Sequence, residues 1–271
     1  IAFHMLPFKI GWLALFVVVF CAFLYRPRRQ ATAALFDSQD APGWLWPLVA
    51  LGLAALPACA VYPQYFGESV GLPIPIFDHM KVAIVDEILR SGLPAHNPFF
   101  QEAGAGNKLV YYYLWYVLAA LGGGLTGASG WEAEIALTGV TAFSGLMLIG
   151  WLAVALARRP DAGWWAFAVA FCAEYQRIID VMIGPWLTQK LQPHGFLHWL
   201  GQASIVPQHL FSGQAAVLAV LMLVRALTGP QQGLRPAILT GALVAASFCS
   251  STWIGGIGLA VLLPILGLIL V

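Results

Sequence analysis

From Ile135 to Ala157 the chain runs 23 residues without an ionisable side chain. Coiled as a helix rising 1.5 Å per residue, this stretch covers the ~30 Å hydrocarbon core of a bilayer. Six further stretches are mostly apolar candidates for spans: Ile10–Tyr25, Trp44–Val61, Trp164–Ala173 with some extension, Pro207–Leu227, Ala237–Trp253 and Ile257–Val271. A water-soluble domain carries about 25% charged residues, and the 9% present here cannot cover a water-facing surface for 271 residues. The expected fold is all-α: a polytopic transmembrane helical bundle of about seven spans, with juxtamembrane helices on the outer surface.

Orientation follows from arginine and lysine in the short loops, which stay on the cytoplasmic side. Arg26, Arg28 and Arg29 follow the first stretch, Arg158 and Arg159 follow Ile135–Ala157, and Arg225 and Arg235 bracket the loop after Pro207–Leu227. Between the first two clusters the chain must cross an even number of times, yet three apolar stretches lie there. The weakest is Leu109–Thr126. It holds Tyr111, Tyr112, Tyr113, Trp115 and Tyr116, which favour the interface, and Gly122-Gly123-Gly124, which weakens a helix at its centre. It is expected to lie in, or dip into, the outer surface.

This arrangement puts two long loops outside, from Tyr62 to about Trp131 and from about Glu174 to Val206. Five of the six histidines fall in or beside them: His79, His96, His194, His198 and His209. The formal net charge of +1 provides no field for nucleic acid, which is excluded as a partner. The four cysteines, Cys21, Cys59, Cys172 and Cys249, sit within apolar runs and read as small packing residues, with neither a disulfide framework nor a metal cluster expected. The chain opens on Ile1 and closes in the apolar run Leu259–Val271, so both ends are expected to continue in the native protein.

In the first outer loop, the segment from Phe77 to Gly92 reads as a short amphipathic helix behind the proline-rich Leu72–Ile76. Phe77, Met80, Ile84 and Ile88 form its apolar stripe; His79, Asp86, Glu87 and Arg90 take the opposite side, a solvated face on which Asp86 and Arg90 pair at i,i+4. Asp78 reads as an N-cap on this pattern alone. Lys81, within the stripe, is either a snorkelling lysine or a cation reaching a lipid phosphate. The following Gly92-Leu93-Pro94-Ala95-His96-Asn97-Pro98 reads as a turn.

In the second outer loop Glu174, Arg177 and Asp180 stand where a span emerges. They form either an i,i+3 anchoring pair or a functional cluster, since ionisable side chains at that depth are costly. His194 and His198 have the i,i+4 spacing of paired metal ligands, but no third ligand is near in sequence, and no metal site is assigned. His209, behind Pro207, either contacts a lipid head group or caps the next helix. The hydroxyl-rich segment from Ser247 to Gly256 is expected to be a tight outer turn between two helices.

The order of these features resembles the N-terminal module of the GT-C superfamily of membrane glycosyltransferases. It comprises a span, Asp78-His79 opening a surface helix, Gly92-Leu93-Pro94, Asn97-Pro98, Tyr111-Tyr112-Tyr113-Leu114-Trp115-Tyr116, and a span ending in Arg158-Arg159. Protein mannosyltransferases and aminoarabinose transferases are among its members. The resemblance covers roughly Trp44 to the end and implies a single transmembrane domain. Within it, residues 1–41 supply an extra span and a cytoplasmic loop, and residues 42–271 the module, truncated at its C-terminus. It implies a polyprenyl-phosphate sugar as donor, allows a divalent metal, and places the active loops on the periplasmic face of a bacterial inner membrane. Asp78 matches the family's acidic residue that acts as base or positions the acceptor. His79 departs from the pattern, standing where many members have a second carboxylate. Glu174 and Asp180 are candidates for the second acidic motif, and Lys81, Arg177 and His209 for the lipid phosphate. The alternative reading is a non-catalytic integral membrane subunit packed among other membrane chains, with membrane lipids as partners in either case.

Overall fold

The computed structural model describes residues 45–71, 75–99, 107–172, 199–228 and 234–270. The Ile10–Tyr25 stretch, Glu174, Arg177, Asp180, His194 and His198 lie outside the described residues. Among those described, the fold is helical apart from one short hairpin. In chain order the elements are α1 (Leu45–Ala60), β1 (Gln64–Phe66), β2 (Ser69–Gly71), α2 (Pro75–Ser91), α3 (Leu114–Thr126), α4 (Gly130–Ala157), α5 (Ala162–Cys172), α6 (Trp199–Ile205), α7 (Pro207–Thr228), α8 (Leu234–Ser250), a π-helix (Thr252–Ile257) and α9 (Gly258–Leu270). Apart from α2 and α6, the described helices fall on the apolar stretches, and α6 lies in the segment read as a loop; α4 and α7 are long and apolar enough to cross a membrane. The strands pair antiparallel with Tyr65 opposite Val70, and the connection is made by Gly67 at φ +63°, a left-handed conformation that favours glycine.

Local chemistry explains the helix boundaries. Pro75 occupies the first position of α2, where its missing N–H costs nothing. Gly92, at φ +75°, ends the helix and donates its N–H to Ile88 O at 2.9 Å. Because α2 begins at Pro75, Asp78 lies inside the first turn, so the expected N-cap assignment is corrected. α4 opens with a capping box: Ser129 N–H donates to Glu132 Oε2 at 2.7 Å, and Glu132 N–H to Ser129 Oγ at 3.4 Å. α3 runs unbroken through Gly122–Gly124, which occupy its C-terminal part rather than its centre. Thr126 Oγ1 donates to Gly122 O at 2.8 Å, and Gly127 at φ +67° ends the helix.

The chain divides into two compact units. One contains Ala14–Pro75 and Thr138–Pro207, and its described core is built around Trp46 of α1, which is fully buried. The indole lies 4.3 Å from the Phe167 ring and 5.0 Å, edge-on, from Trp164. A Cβ on Gly150 of α4 or on Gly163 of α5 would overlap the same indole, so these two glycines open the slot that Trp46 fills.

The other unit includes Ile76–Leu137 and Gln208–Val271. Its core joins Ile84, Val85 and Ile88 of α2 to Trp115, Tyr116, Ala119 and Ala120 of α3 and Ala133 of α4. Here α7 and α8 are tied by a reciprocal pair of hydrogen bonds. Ser212 Oγ donates to Ser247 O at 2.7 Å, and Ser247 Oγ donates to Ser212 O at 2.8 Å. The interruption expected near Ser247–Gly256 falls at Ser251, an extended residue between α8 and the π-helix. Gly255 then packs so closely on the Ser247 backbone that a Cβ there would overlap it.

Candidate functional site

Elementary electrostatics directs attention to Lys81. An ammonium taken out of water without a partner is prohibitively costly, so a buried lysine marks a built structure. Lys81 is fully buried, and its Nζ lies 2.6 Å from Glu134 Oε1 of α4, itself 1% exposed. The expected snorkelling or lipid-phosphate role is therefore corrected: the amphipathic stripe of α2 turns Lys81 inward, and Glu134 neutralises it. Glu134 was not singled out in the sequence, because the apolar stretch was read as starting one residue later.

From this pair a polar line runs through the same unit. Tyr116 of α3 is buried and close enough to Glu134 to feel its charge. The Tyr116 ring lies 5.9 Å from Tyr111, which stacks on Tyr112 at 4.0 Å. Tyr111 Oη donates to Tyr112 Oη at 3.0 Å, and buried Gln208, in the first turn of α7, is close enough to act electrostatically on the Tyr112 hydroxyl. Burial raises the Tyr112 pKa above that of an ordinary phenol, so this group stays protonated and neutral. Beside it, the His209 ring lies 5.8 Å from Tyr112, and His209 Nδ1 is 2.7 Å from Ser251 Oγ. Ser251 Oγ also accepts from Ile254 N–H at 3.2 Å. The one-residue break after α8 thus presents a hydroxyl to His209.

A second cluster lies at the other end of α2. Glu87 was read as part of a solvated face, but it is 3% exposed. It accepts from Ser91 Oγ at 2.7 Å, pairs with Arg90, and lies 3.2 Å from His96 Nδ1. The expected Asp86–Arg90 pair is not formed. Arg90 takes Glu87, and Asp86 Oδ1 accepts from Gly130 N–H at 2.8 Å, 44 residues along the chain. Burial raises the Glu87 pKa, but hydrogen bonds from Ser91, Arg90 and His96, with the charge of Arg90, outweigh it and hold the carboxyl below 4.5. A depressed carboxylate contributes stability that is complete above its unfolded pKa and is lost as pH falls through the folded one. Unfolding midpoints in detergent should therefore fall on acidification below about pH 4.5. Glu87→Gln should flatten that fall, and an unchanged acid profile in the variant would count against this role.

The sequence-derived site residues distribute unevenly over this geometry. Lys81 and His209 lie at opposite ends of the polar line. Asp78 is within α2, three residues before Lys81, with its side chain outside the described part; His79 is exposed on the same helix. Tyr116, Gln208, Ser251, Glu134 and the Glu87–His96 contact are additions from the structure. A lysine in an apolar stripe was the one local sign that an acidic partner had to exist elsewhere. Among the described residues, no group of three His, Cys, Asp or Glu side chains could hold a metal ion.

The chain is 40% identical over 267 residues to an uncharacterized protein, y4nK, of Sinorhizobium fredii. The match takes in 98% of this chain but 40% of the relative, so the chain spans less than half the length of the curated protein it matches. No protein-family model matches the sequence. No solved structure matches it either.

Proposed function

We propose that the chain is the membrane module of a glycosyltransferase that moves a sugar from a polyprenyl-phosphate donor to an acceptor on the periplasmic face of a bacterial inner membrane. The observation that carries this reading is the α2–α3 pair, two helices of 17 and 13 residues between α1 and the 28-residue α4. This is the order of a surface-helix insertion between two spans, with Asp78-His79 at its start. On this reading seven stretches cross the bilayer: Ile10–Tyr25, α1, α4, α5 with its extension, α7, α8 and α9. Large apolar side chains left exposed, among them Leu48, Trp165, Ile238 and Val261, then face lipid.

In the proposed reaction Asp78 removes the proton from the acceptor nucleophile as it attacks the anomeric carbon. The carbon–oxygen bond to phosphate breaks, and the polyprenyl phosphate leaves with the electron pair. Glu174 and Asp180 supply the second acidic motif. With Lys81 neutralised by Glu134, Arg177 is the cation assigned to the leaving phosphate, and His209 is assigned to the lipid head group. The test uses the full-length protein in membranes and a panel of polyprenyl-phosphate hexoses, with release of polyprenyl phosphate followed by mass spectrometry. Asp78→Asn should lower release by about 10²–10⁴-fold at unchanged expression and thermal stability. Release at the wild-type rate would refute the assignment.

One observation favours the second reading, a non-catalytic subunit in a larger membrane complex. The two basic side chains of α2, Lys81 and Arg90, are both paired with carboxylates of this chain. That reading requires stable co-purification with other membrane proteins and a complex that works normally with Asp78→Ala.

A further inference from the structure

We infer that the contact between Lys108 and His96 is a proton-operated latch, closed when the imidazole is neutral and open when it is protonated. The argument begins with donors and acceptors. An ammonium can only donate, and Lys108 Nζ lies 3.2 Å from His96 Nε2 and 3.4 Å from Pro94 O. His96 Nε2 must therefore present its lone pair to Lys108. The other ring nitrogen, Nδ1, lies 3.2 Å from Glu87 Oε1, an ionised carboxylate that can only accept, so Nδ1 carries the proton. The two neighbours together select one neutral tautomer.

Protonating Nε2 turns it into a donor aimed at an ammonium. The Lys108 contact is then lost to like-charge repulsion, whereas the Glu87 contact becomes a full ion pair and persists. Histidine is the side chain that changes charge nearest neutral pH, which is what a proton-operated contact requires. The charged groups facing the imidazole among the described residues are Glu87, with Arg90 behind it, from α2, and Lys108 from the opposite segment.

The latch has a mechanical load. His96 and Lys108 face each other in an isolated antiparallel bridge, in which Asn97 N–H donates to Asn107 O at 2.8 Å and Leu109 N–H to Ala95 O at 3.0 Å. Ala95 is fully buried in the α2–α3 core, so its segment is fixed, and Lys108 holds the opposite segment against it. Acidification is thus expected to free the 107–109 side of the bridge while α2 stays docked. The inference is independent of the proposed glycosyl transfer.

The test is amide hydrogen exchange at Asn97 and Leu109 in detergent, expressed as protection factors so that the intrinsic pH dependence of exchange is divided out. Between pH 7.5 and 5.5, protection in the wild type should fall about fivefold. In His96→Gln, which keeps a donor and an acceptor but does not titrate, protection should be the same at both pH values. Lys108→Met should show low protection at both. Equal protection of the wild type at the two pH values, or a wild-type-sized fall persisting in either variant, would overturn the inference; if His96→Gln does not fold, Lys108→Met decides.

Discussion

Lys81→Met is expected to destabilise the protein by about 3–5 kcal/mol, and adding Glu134→Leu to it is expected to restore most of that loss. The reason is the asymmetry of buried charge. The pair at 2.6 Å lies in a region from which water is excluded, with both side chains at or below 1% exposure. Removing the ammonium alone leaves a carboxylate deep in the protein without its cation, which costs several kcal/mol. Removing both charges with side chains of similar volume eliminates the desolvation penalty along with the attraction. Unfolding midpoints of the wild type, both single variants and the double variant in one detergent form the required cycle. Additive losses in the double variant would show that the two side chains do not act as a pair.

Trp46 carries the second large effect. Trp46→Ala empties a slot walled by Phe167, Trp164, Gly150 and Gly163, and should cost about 3–5 kcal/mol through lost burial and the cavity left behind. Gly150→Val attacks the same slot from the opposite side by driving a side chain into the indole, and should cost about 1–3 kcal/mol or more. Because both changes act on one contact, Trp46→Leu should partly rescue Gly150→Val. Melting temperatures that simply add would mean the glycines serve some other purpose.

The positions of the helices were legible because apolar runs and their punctuation are local signals. Pro207–Leu227 reappears as Pro207–Thr228, and Gly92 ends α2 as expected. The pairings were not legible, because they join residues far apart in sequence. Asp86 and Arg90 are well spaced for each other on a helix, yet Asp86 turns to Gly130, and Arg90 to Glu87. Spacing on one helix predicts which side chains can meet, but the neighbours brought in by the fold decide which do. Lys81 was read as a snorkelling lysine or a cation for a lipid phosphate, whereas its partner is Glu134 of α4. Glu134 stands one residue before the apolar stretch that was read as a span, and no local spacing links it to Lys81. The candidate site was legible only at its ends, Lys81 and His209. Tyr116, Gln208 and Ser251, which connect them, belong to residue types that more often serve as ordinary core or helix-end groups.

The length of α4 has a consequence for how the proposed membrane protein is made. Its 28 residues extend about 42 Å, whereas hydrocarbon about 30 Å thick accepts about 20 residues. The surplus of about eight matches the start of the helix, which carries Glu132 and Glu134. On the proposed reading the carboxylates would act as a depth stop during insertion: the helix would slide into the bilayer as far as Ile135, where Glu134 halts it. Lys81 would then dock on a stop already at its final height, so the vertical alignment of α2 would be set by the biosynthesis of α4 and need not be searched for afterwards.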